Sequence, residues 1–346
     1  MEEEKKRLVL IDGNAILHRA YHALPALTTR NGELVNAVYG FASMLLRIFD
    51  ELHPEYLAVC FDTAGPNFRH QQFIGYKANR PMMDNELAGQ IEKVHELVRA
   101  FNIPILEVNG YEADDVIAAL AKQAMDLNNE SRIMNKKKKE KIDHNSKFII
   151  HNSNIEVLIV TGDKDLMQLV DERTKLYMPT KGLSEAQIVD REKVIEKMGI
   201  PPEKIIDYKG LVGDPSDNYP GVPGIGPKTA IKLLEKFGTI EKIYKKISVS
   251  DEKIREFGET TVNKLAEGAE SAVLSKKLAT ILTDVPVKLS FKESVVRDFD
   301  KEKVLAFFKE LGFRSLVARI EGNPPSSRQG GTSARQVKDE RQGCLF

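Results

Sequence analysis

Residues 8–14, Leu8-Val9-Leu10-Ile11-Asp12-Gly13-Asn14, form an apolar run that stops on an acid. Aliphatic side chains in unbroken succession, without polar alternation, read as a strand buried on both faces of a sheet. Working outward, the pattern recurs: Tyr56 to Phe61 precede Asp62, Val157 to Val160 precede Thr161-Gly162-Asp163, and Ile103 to Glu107 supply another strand-like run. Segments of helical periodicity lie between these runs. The chain therefore reads as βαβ units, an α/β fold around a mostly parallel central sheet. The carboxyl ends of parallel strands line one crevice, which brings acids from distant parts of a sequence together.

Other acids join them. Glu112, Asp114 and Asp115 open a helix whose apolar positions Val116, Ile117, Leu120, Ala121 and Ala124 recur at helical spacing. Asp163 and Asp165 share a Gly-Asp-Lys-Asp segment, and Asp214 and Asp217 a Gly-Asp-Pro-Ser-Asp segment. Each cluster alone has an ordinary reading, because acids at a helix start complement its dipole and Gly-Asp pairs are common in turns. Joint placement decides otherwise: so many carboxylates around one crevice would repel unless divalent cations lay among them. The chain reads as a metal enzyme.

The composition sets the bounds. With 346 residues and 42% apolar content the chain can bury a large core, and Lys plus Arg balance Asp plus Glu at 51 each. That neutrality gives no direct sign of a polyanionic partner, although an acidic metal site can cancel a basic binding face. Cys60 and Cys344 make no disulfide framework and match no zinc spacing, which fits a reducing compartment. The N-terminus lacks the apolar stretch of a signal peptide and no run approaches a membrane span, so a cytoplasmic protein with no membrane partner is expected.

Three regions are expected along the chain. Residues 1–180 form the α/β core, with a polar and basic stretch at about 66–101 placed to cap the crevice and a Lys-rich insertion at about 128–156 read as a solvated loop. Residues 181–320 turn helical from about Glu185, through Glu203 to Gly210, Lys228 to Phe237 and Thr261 to Leu282. Residues 321–346 read as a flexible tail. In the helical region, Gly221 to Gly238 place a Gly224-Ile225-Gly226 hairpin ahead of a helix. Pro227 between Gly226 and Lys228 excludes a Walker A loop, and no strand precedes the glycines as a dinucleotide fingerprint requires. The remaining readings are a plain interhelical turn or a helix-hairpin-helix element that grips a nucleic-acid backbone without reading bases.

The stretches IDGNAILHRAYHAL, NAVYGFASML, FDTAGPNFRHQQFIGYKANRP, GYEADDVIAALA, TGDKDLMQLV and GLVGDPSDNYPGVPGIGPKTAIKLL, in this order, closely resemble the 5′ nuclease domain that begins bacterial DNA polymerase I, a relative of flap endonucleases. The likeness runs from about Leu8 to Ile320. It implies a PIN-like nuclease core, a helical arch over the active site, and a helix-three-turn-helix that binds duplex DNA beside a K⁺ ion. It further implies two Mg²⁺ ions, replaceable by Mn²⁺. Carried over residue by residue, Asp12, Asp62 and Asp114 hold the first, and Asp114, Asp163, Asp165 and Asp217 the second. Glu112, Asp115 and Asp214 act directly or through water. The implied reaction is hydrolysis of a phosphodiester near a single-strand to duplex junction, leaving a 5′-phosphate and a 3′-hydroxyl.

Other roles follow from the same resemblance. Lys77 and Arg80 match arch positions that neutralise the scissile phosphate, and they join Asp12 and Asp114 as the expected catalytic set. Arg19 and Arg69 match further phosphate contacts, Tyr76 is placed to stack on an unpaired base, and Gly224, Gly226, Lys228 and Thr229 would hold duplex DNA. Expected substrates are DNA with 5′ flaps, nicks or RNA primers, met beside a DNA polymerase at the nucleoid by a monomeric enzyme. The terminal Gln342-Gly343-Cys344-Leu345-Phe346 looks like the peptide by which bacterial enzymes dock on the sliding clamp, with Gln342, Leu345 and Phe346 as anchors. The competing reading is a non-catalytic DNA-junction binding module tethered to that clamp, which the intact acids disfavour.

Overall fold

The computed structural model describes residues 5–137, 154–180, 182–183, 185–296 and 299–322. Its centre is a six-stranded sheet in the order β3-β2-β1-β4-β5-β6. The strands are β1 (Lys6–Asp12), β2 (Tyr56–Cys60), β3 (Ile105–Leu106), β4 (Ile155–Val160), β5 (Thr174–Pro179) and β6 (Ala186–Val189). All neighbours pair in parallel except β5 and β6, which form an antiparallel hairpin.

The unbroken apolar runs have the cause the sequence implies. Val9 and Ile11 of β1 face one core, together with Leu57 and Val59 of β2 and Leu158 and Val160 of β4. Their neighbours Leu8, Leu10, Ala58, Cys60, Val157 and Ile159 face a second core on the opposite side. Helices α1 (Gly13–Ala23), α2 (Asn36–Leu52) and α4 (Asn85–Ala100) cover the first face, while α5 (Ala113–Lys137) covers the second. The short α3 (Phe68–Gln72) and the turn after it lead from β2 towards α4.

Beyond the sheet come α6 (Arg191–Met198), α7 (Ile205–Val212), α8 (Pro227–Phe237), α9 (Ile240–Ser248), α10 (Glu252–Arg255), α11 (Glu259–Glu267), α12 (Ala269–Ala279), α13 (Phe291–Ser294), α14 (Lys301–Glu310) and α15 (Arg314–Ile320). Helices α7 to α12 bury their own apolar cluster, which includes Leu211, Leu233, Leu234, Ile243 and Leu265. Residues of α14 and α15, among them Val304, Phe308 and Leu316, instead return to the first core beside the sheet.

The structure redraws several expected boundaries. The third strand-like run shrinks to Ile105–Leu106, because Pro104 cannot donate to the ladder and offers only its carbonyl, to Val59 N. The sheet continues past residue 180 into β6, where a helical region was expected to have begun. The first part of the Lys-rich insertion is helix, since α5 runs on to Lys137, and its last residues lie in β4. Asn128 joins these two elements: its amide accepts from Ile155 N and donates to Ile155 O, both at 3.0 Å. The expected helix from Thr261 to Leu282 divides at Gly268 into α11 and α12. The tail and the core of the insertion lie outside the described residues.

Candidate active site

Register puts the strand-end acids at one level. Asp12 pairs across the sheet with Cys60, two residues before Asp62, and Ile11 pairs with Val160, three residues before Asp163. Asp12 also caps α1, accepting from Ala15 N at 2.9 Å, and its second oxygen accepts from the Thr161 hydroxyl at 2.8 Å. Asp62 is fixed from both sides: its N–H donates to Asn14 Oδ1 at 2.9 Å, and its carboxylate accepts from Ala113 N at 2.7 Å. That last bond brings the start of α5, and with it Asp114, to the same place.

Asp12, Asp62, Asp114 and Asp163 line one cleft of about 910 Å³, with Lys77 and Arg80 at its rim. None of these acids makes an ion pair with a described residue. Burial, together with the charges of Asp163 and Asp62, pushes the Asp12 carboxyl up to about 7. Burial and the charge of Asp12 raise Asp114 well above the usual carboxylate range, and Asp62 is also raised, first by desolvation. The group is a cation-seeking arrangement of hard oxygen donors, which divalent metal chemistry fits. Among the described residues, however, no His, Cys, Asp or Glu side chains are drawn close enough in threes to hold an ion as they stand.

The other acids of the expected metal sites are already neutralised by the chain's own cations. Lys77 donates to Glu112 at 2.8 Å, which helps hold that carboxyl below its ordinary value against its burial. Arg80 donates to Asp217 at 2.6 Å. Lys209 Nζ lies between Asp165 and Asp214, contacting Asp214 Oδ2 at 2.6 Å. The acids expected around a second ion are thus split: Asp163 faces the main cleft, Asp165 turns towards Lys209 and Asp217 towards Arg80. A neighbouring cleft of about 590 Å³ contains Asp163, Asp165, Lys209 and Asp214.

Three residues expected to meet DNA make contacts within the chain itself. Arg69 is buried, and its guanidinium makes a two-pronged pair with Asp115, both contacts at 2.8 Å. It also donates to the carbonyls of Leu278 and Thr280, so it joins α3, α5 and the segment after α12. Tyr76 is buried too, its hydroxyl within hydrogen-bond reach of Glu112 and Asp217, so its ring presents no face for a base. Arg19 donates to the carbonyls of Gly182 and Thr180, which fastens α1 to the β5–β6 hairpin.

The arch stretch is strapped to the loop that carries Asp214 and Asp217. Lys77 N donates to Asp217 O, Asn79 Nδ2 to Pro215 O, and Asn218 Nδ2 to Gly75 O. Lys77 and Asn218 both hold left-handed backbone, at φ 55° and 58°. Such values concentrate where local structure is over-determined by its surroundings, as at functional sites.

The glycine hairpin is a close backbone crossing. Gly221 has φ +61°, and a Cβ there would come within 2.2 Å of Gly213 N, so a side chain would force the α7–α8 connection apart. Gly226 caps α8 with Pro227 at its first position. Gly224, Gly226 and Lys228 are exposed, which leaves the N-terminus of α8 open to an anion.

Lys209 and Thr161 escaped the sequence reading. A lysine on the mostly buried Ile-Ile-Asp-Tyr-Lys-Gly-Leu-Val helix was a usable signal, because a buried ammonium requires an acid partner. Thr161 carried no such mark.

Comparison with known proteins bears on the fold and the family. Two family models match in sequence order: the 5′-3′ exonuclease N-terminal resolvase-like domain over residues 7–139, and the 5′-3′ exonuclease C-terminal SAM fold over residues 200–302. DNA polymerase I of Bacillus subtilis (strain 168) is 39% identical over 327 residues, covering 94% of this chain and 33% of its own length. The thermostable DNA polymerase I of Thermus thermophilus is 38% identical over 316 residues, 91% of this chain and 33% of that protein. The chain thus spans about a third of the length of these curated relatives. Among solved structures, T5 5′-exonuclease with bound divalent metal ions (zinc) superposes with a TM-score of 0.61 at 17% identity, over 92% of this chain and 98% of that one. The catalytic core of Rad2 in complex with DNA substrate superposes at 0.56 with 19% identity, over 92% and 91%. No described helix is long and apolar enough to cross a membrane. With both halves of the family pattern present in order, the chain belongs to the 5′-3′ exonuclease family found in bacterial DNA polymerase I.

Proposed function

We propose that the chain is a divalent-cation-dependent 5′-3′ exonuclease and 5′-flap endonuclease that hydrolyses phosphodiesters near single-strand to duplex junctions. The observation that carries this reading is the cleft where Asp12, Asp62, Asp114 and Asp163 meet without a cationic partner among the described residues, with Lys77 and Arg80 beside them. Asp12, Asp62 and Asp114 would hold the first Mg²⁺ or Mn²⁺ ion, joined by Asp163, which was expected at the second ion but lines the same cleft, while Asp165, Asp214 and Asp217, with Glu112 and Asp115 behind them, would serve the second. When bound, such ions supply activation of water and neutralisation of charge at the phosphate.

The chain's own groups do the rest. Lys77 and Arg80, now paired with Glu112 and Asp217, would be free to meet the substrate phosphate when those carboxylates serve the ions. The open N-terminus of α8, with Gly224, Gly226, Lys228 and Thr229, grips the duplex backbone, aided by a K⁺ ion at the turn. The reading extends to flaps and RNA primers met at the nucleoid in the cytoplasm, by a monomer working beside a DNA polymerase and docked on the sliding clamp through Gln342, Leu345 and Phe346. That docking peptide lies outside the described residues.

A labelled 5′-flap duplex incubated with Mg²⁺ tests the proposal. Cleavage near the junction is expected, with Asp163→Ala lowering the rate at least about a thousandfold while flap binding changes no more than a few-fold. An uncut flap at micromolar wild-type enzyme would overturn it in favour of a binding module.

A further inference from the structure

The internal cations that neutralise the second group of acids are not equivalent. Lys77 and Arg80 come from the strapped turn at the cleft rim, with side chains 20% and 50% exposed, so substrate can reach them directly. Lys209 instead rises from α7, with a side chain only 9% exposed, at the wall of the neighbouring cleft. Its ammonium has Asp165 on one side and Asp214 on the other, 44 and 5 residues away in sequence.

The carboxylates around it are held in place. Asp214 Oδ1 accepts from Ser216 N at 2.8 Å and from the Ser216 hydroxyl at 2.6 Å, which leaves Oδ2 for Lys209. Asp165 is positioned through its own N–H, which donates to Asp163 Oδ1 at 2.8 Å. An ammonium between two fixed carboxylates occupies the place of a cation. It leaves one negative charge uncompensated, so a divalent ion would neutralise the pair more completely, and both cannot sit there together.

Building on the metal-dependent reading above, we infer that Lys209 is a resident counter-cation with which divalent ions compete at Asp165 and Asp214. The cation sites of this chain therefore fill unequally. The group of Asp12, Asp62, Asp114 and Asp163, which pairs with no cation among the described residues, fills first. The site at Asp165 and Asp214 fills only when the Lys209 side chain swings away on its flexible stem. Lys209 is thus a positioning residue that sets the occupancy of the second ion and holds the loops of Asp165 and Asp214 together without metal.

Mn²⁺ titration of the full chain without DNA, followed by electron paramagnetic resonance and by circular dichroism, tests this. In the wild type the expected result is one tighter and one weaker ion. Lys209→Met should tighten the weaker ion at least about tenfold, leave the tighter one within about twofold, and lower the metal-free melting temperature, while Lys209→Arg should keep the wild-type pattern. If Lys209→Met fails to fold without metal, Mn²⁺ should restore its native spectrum, because a divalent ion replaces the missing ammonium. An unchanged or weaker second affinity in the folded variant, or no rescue by Mn²⁺ in the unfolded one, overturns the inference. A wild type that binds no Mn²⁺ would instead sink the metal-dependent reading itself.

Discussion

Arg69 shows how a basic residue can be committed to the fold's own carboxylates. Its guanidinium lies against Asp115, which is fully buried and also accepts from the N–H groups of Glu112 and Leu282. Removing one member of a buried ion pair leaves the other charged and unpaired, so Arg69→Ala should cost about 3–5 kcal/mol in urea unfolding. A loss below about 1 kcal/mol would show that Asp115 finds another partner. Cys60 offers a second test at this scale: it is wholly buried beneath the cleft, and burial, with Asp12 and Asp114 nearby, pushes its thiol far up. Mass-spectrometric mapping after iodoacetamide treatment should find Cys60 unmodified in the native protein and alkylated in denaturant. Reaction in the native state would mean that the sheet end opens.

At the scale of elements, the α7–α8 turn separates shape from contact. Gly221→Ala puts a methyl group into the Gly213 backbone at positive φ, so it should lower stability by about 2 kcal/mol or more. Gly226 has ordinary φ and open space around its would-be Cβ, so Gly226→Ala should cost only the loss of a preferred cap residue, about 1 kcal/mol or less. If α8 grips DNA as proposed, Gly226→Ala should nonetheless weaken duplex binding in a fluorescence-anisotropy titration. Equal binding by this variant and the wild type would remove the α8 N-terminus from the interface. The sequence made these elements readable to differing degrees. Leu8 to Ile11 announced β1 because a doubly buried strand needs no polar positions, and the periodicity from Val116 to Ala124 announced α5. The β5–β6 hairpin was missed because Lys175 and Gln187 break the apolar run of both strands. The internal partners of Tyr76, Arg69 and Arg19 were not legible for another reason: a basic or aromatic residue looks the same in sequence whether its partner is a phosphate or a group of its own fold.

For the whole molecule, the return of α14 and α15 to the sheet makes the last described helices part of the first core. Val304, Phe308, Phe313 and Leu316 pack there with residues of α2 and α4. A chain ending at residue 299 should therefore lose its cooperative thermal transition in calorimetry, because it uncovers that apolar face. Retention of the full-length melting temperature would show that these helices are accessory. The acids were legible together because the parallel topology gathers strand ends, whereas their partition between bare and neutralised groups depends on side chains that meet only after folding. The edges of the sheet carry a further consequence. One edge is the two-residue β3 and the other the four-residue β6, where the Lys193 ammonium occupies the Ile188 carbonyl. Neither margin offers a neighbouring copy a long row of free peptide groups. Edge-to-edge pairing of two copies through this sheet is therefore disfavoured.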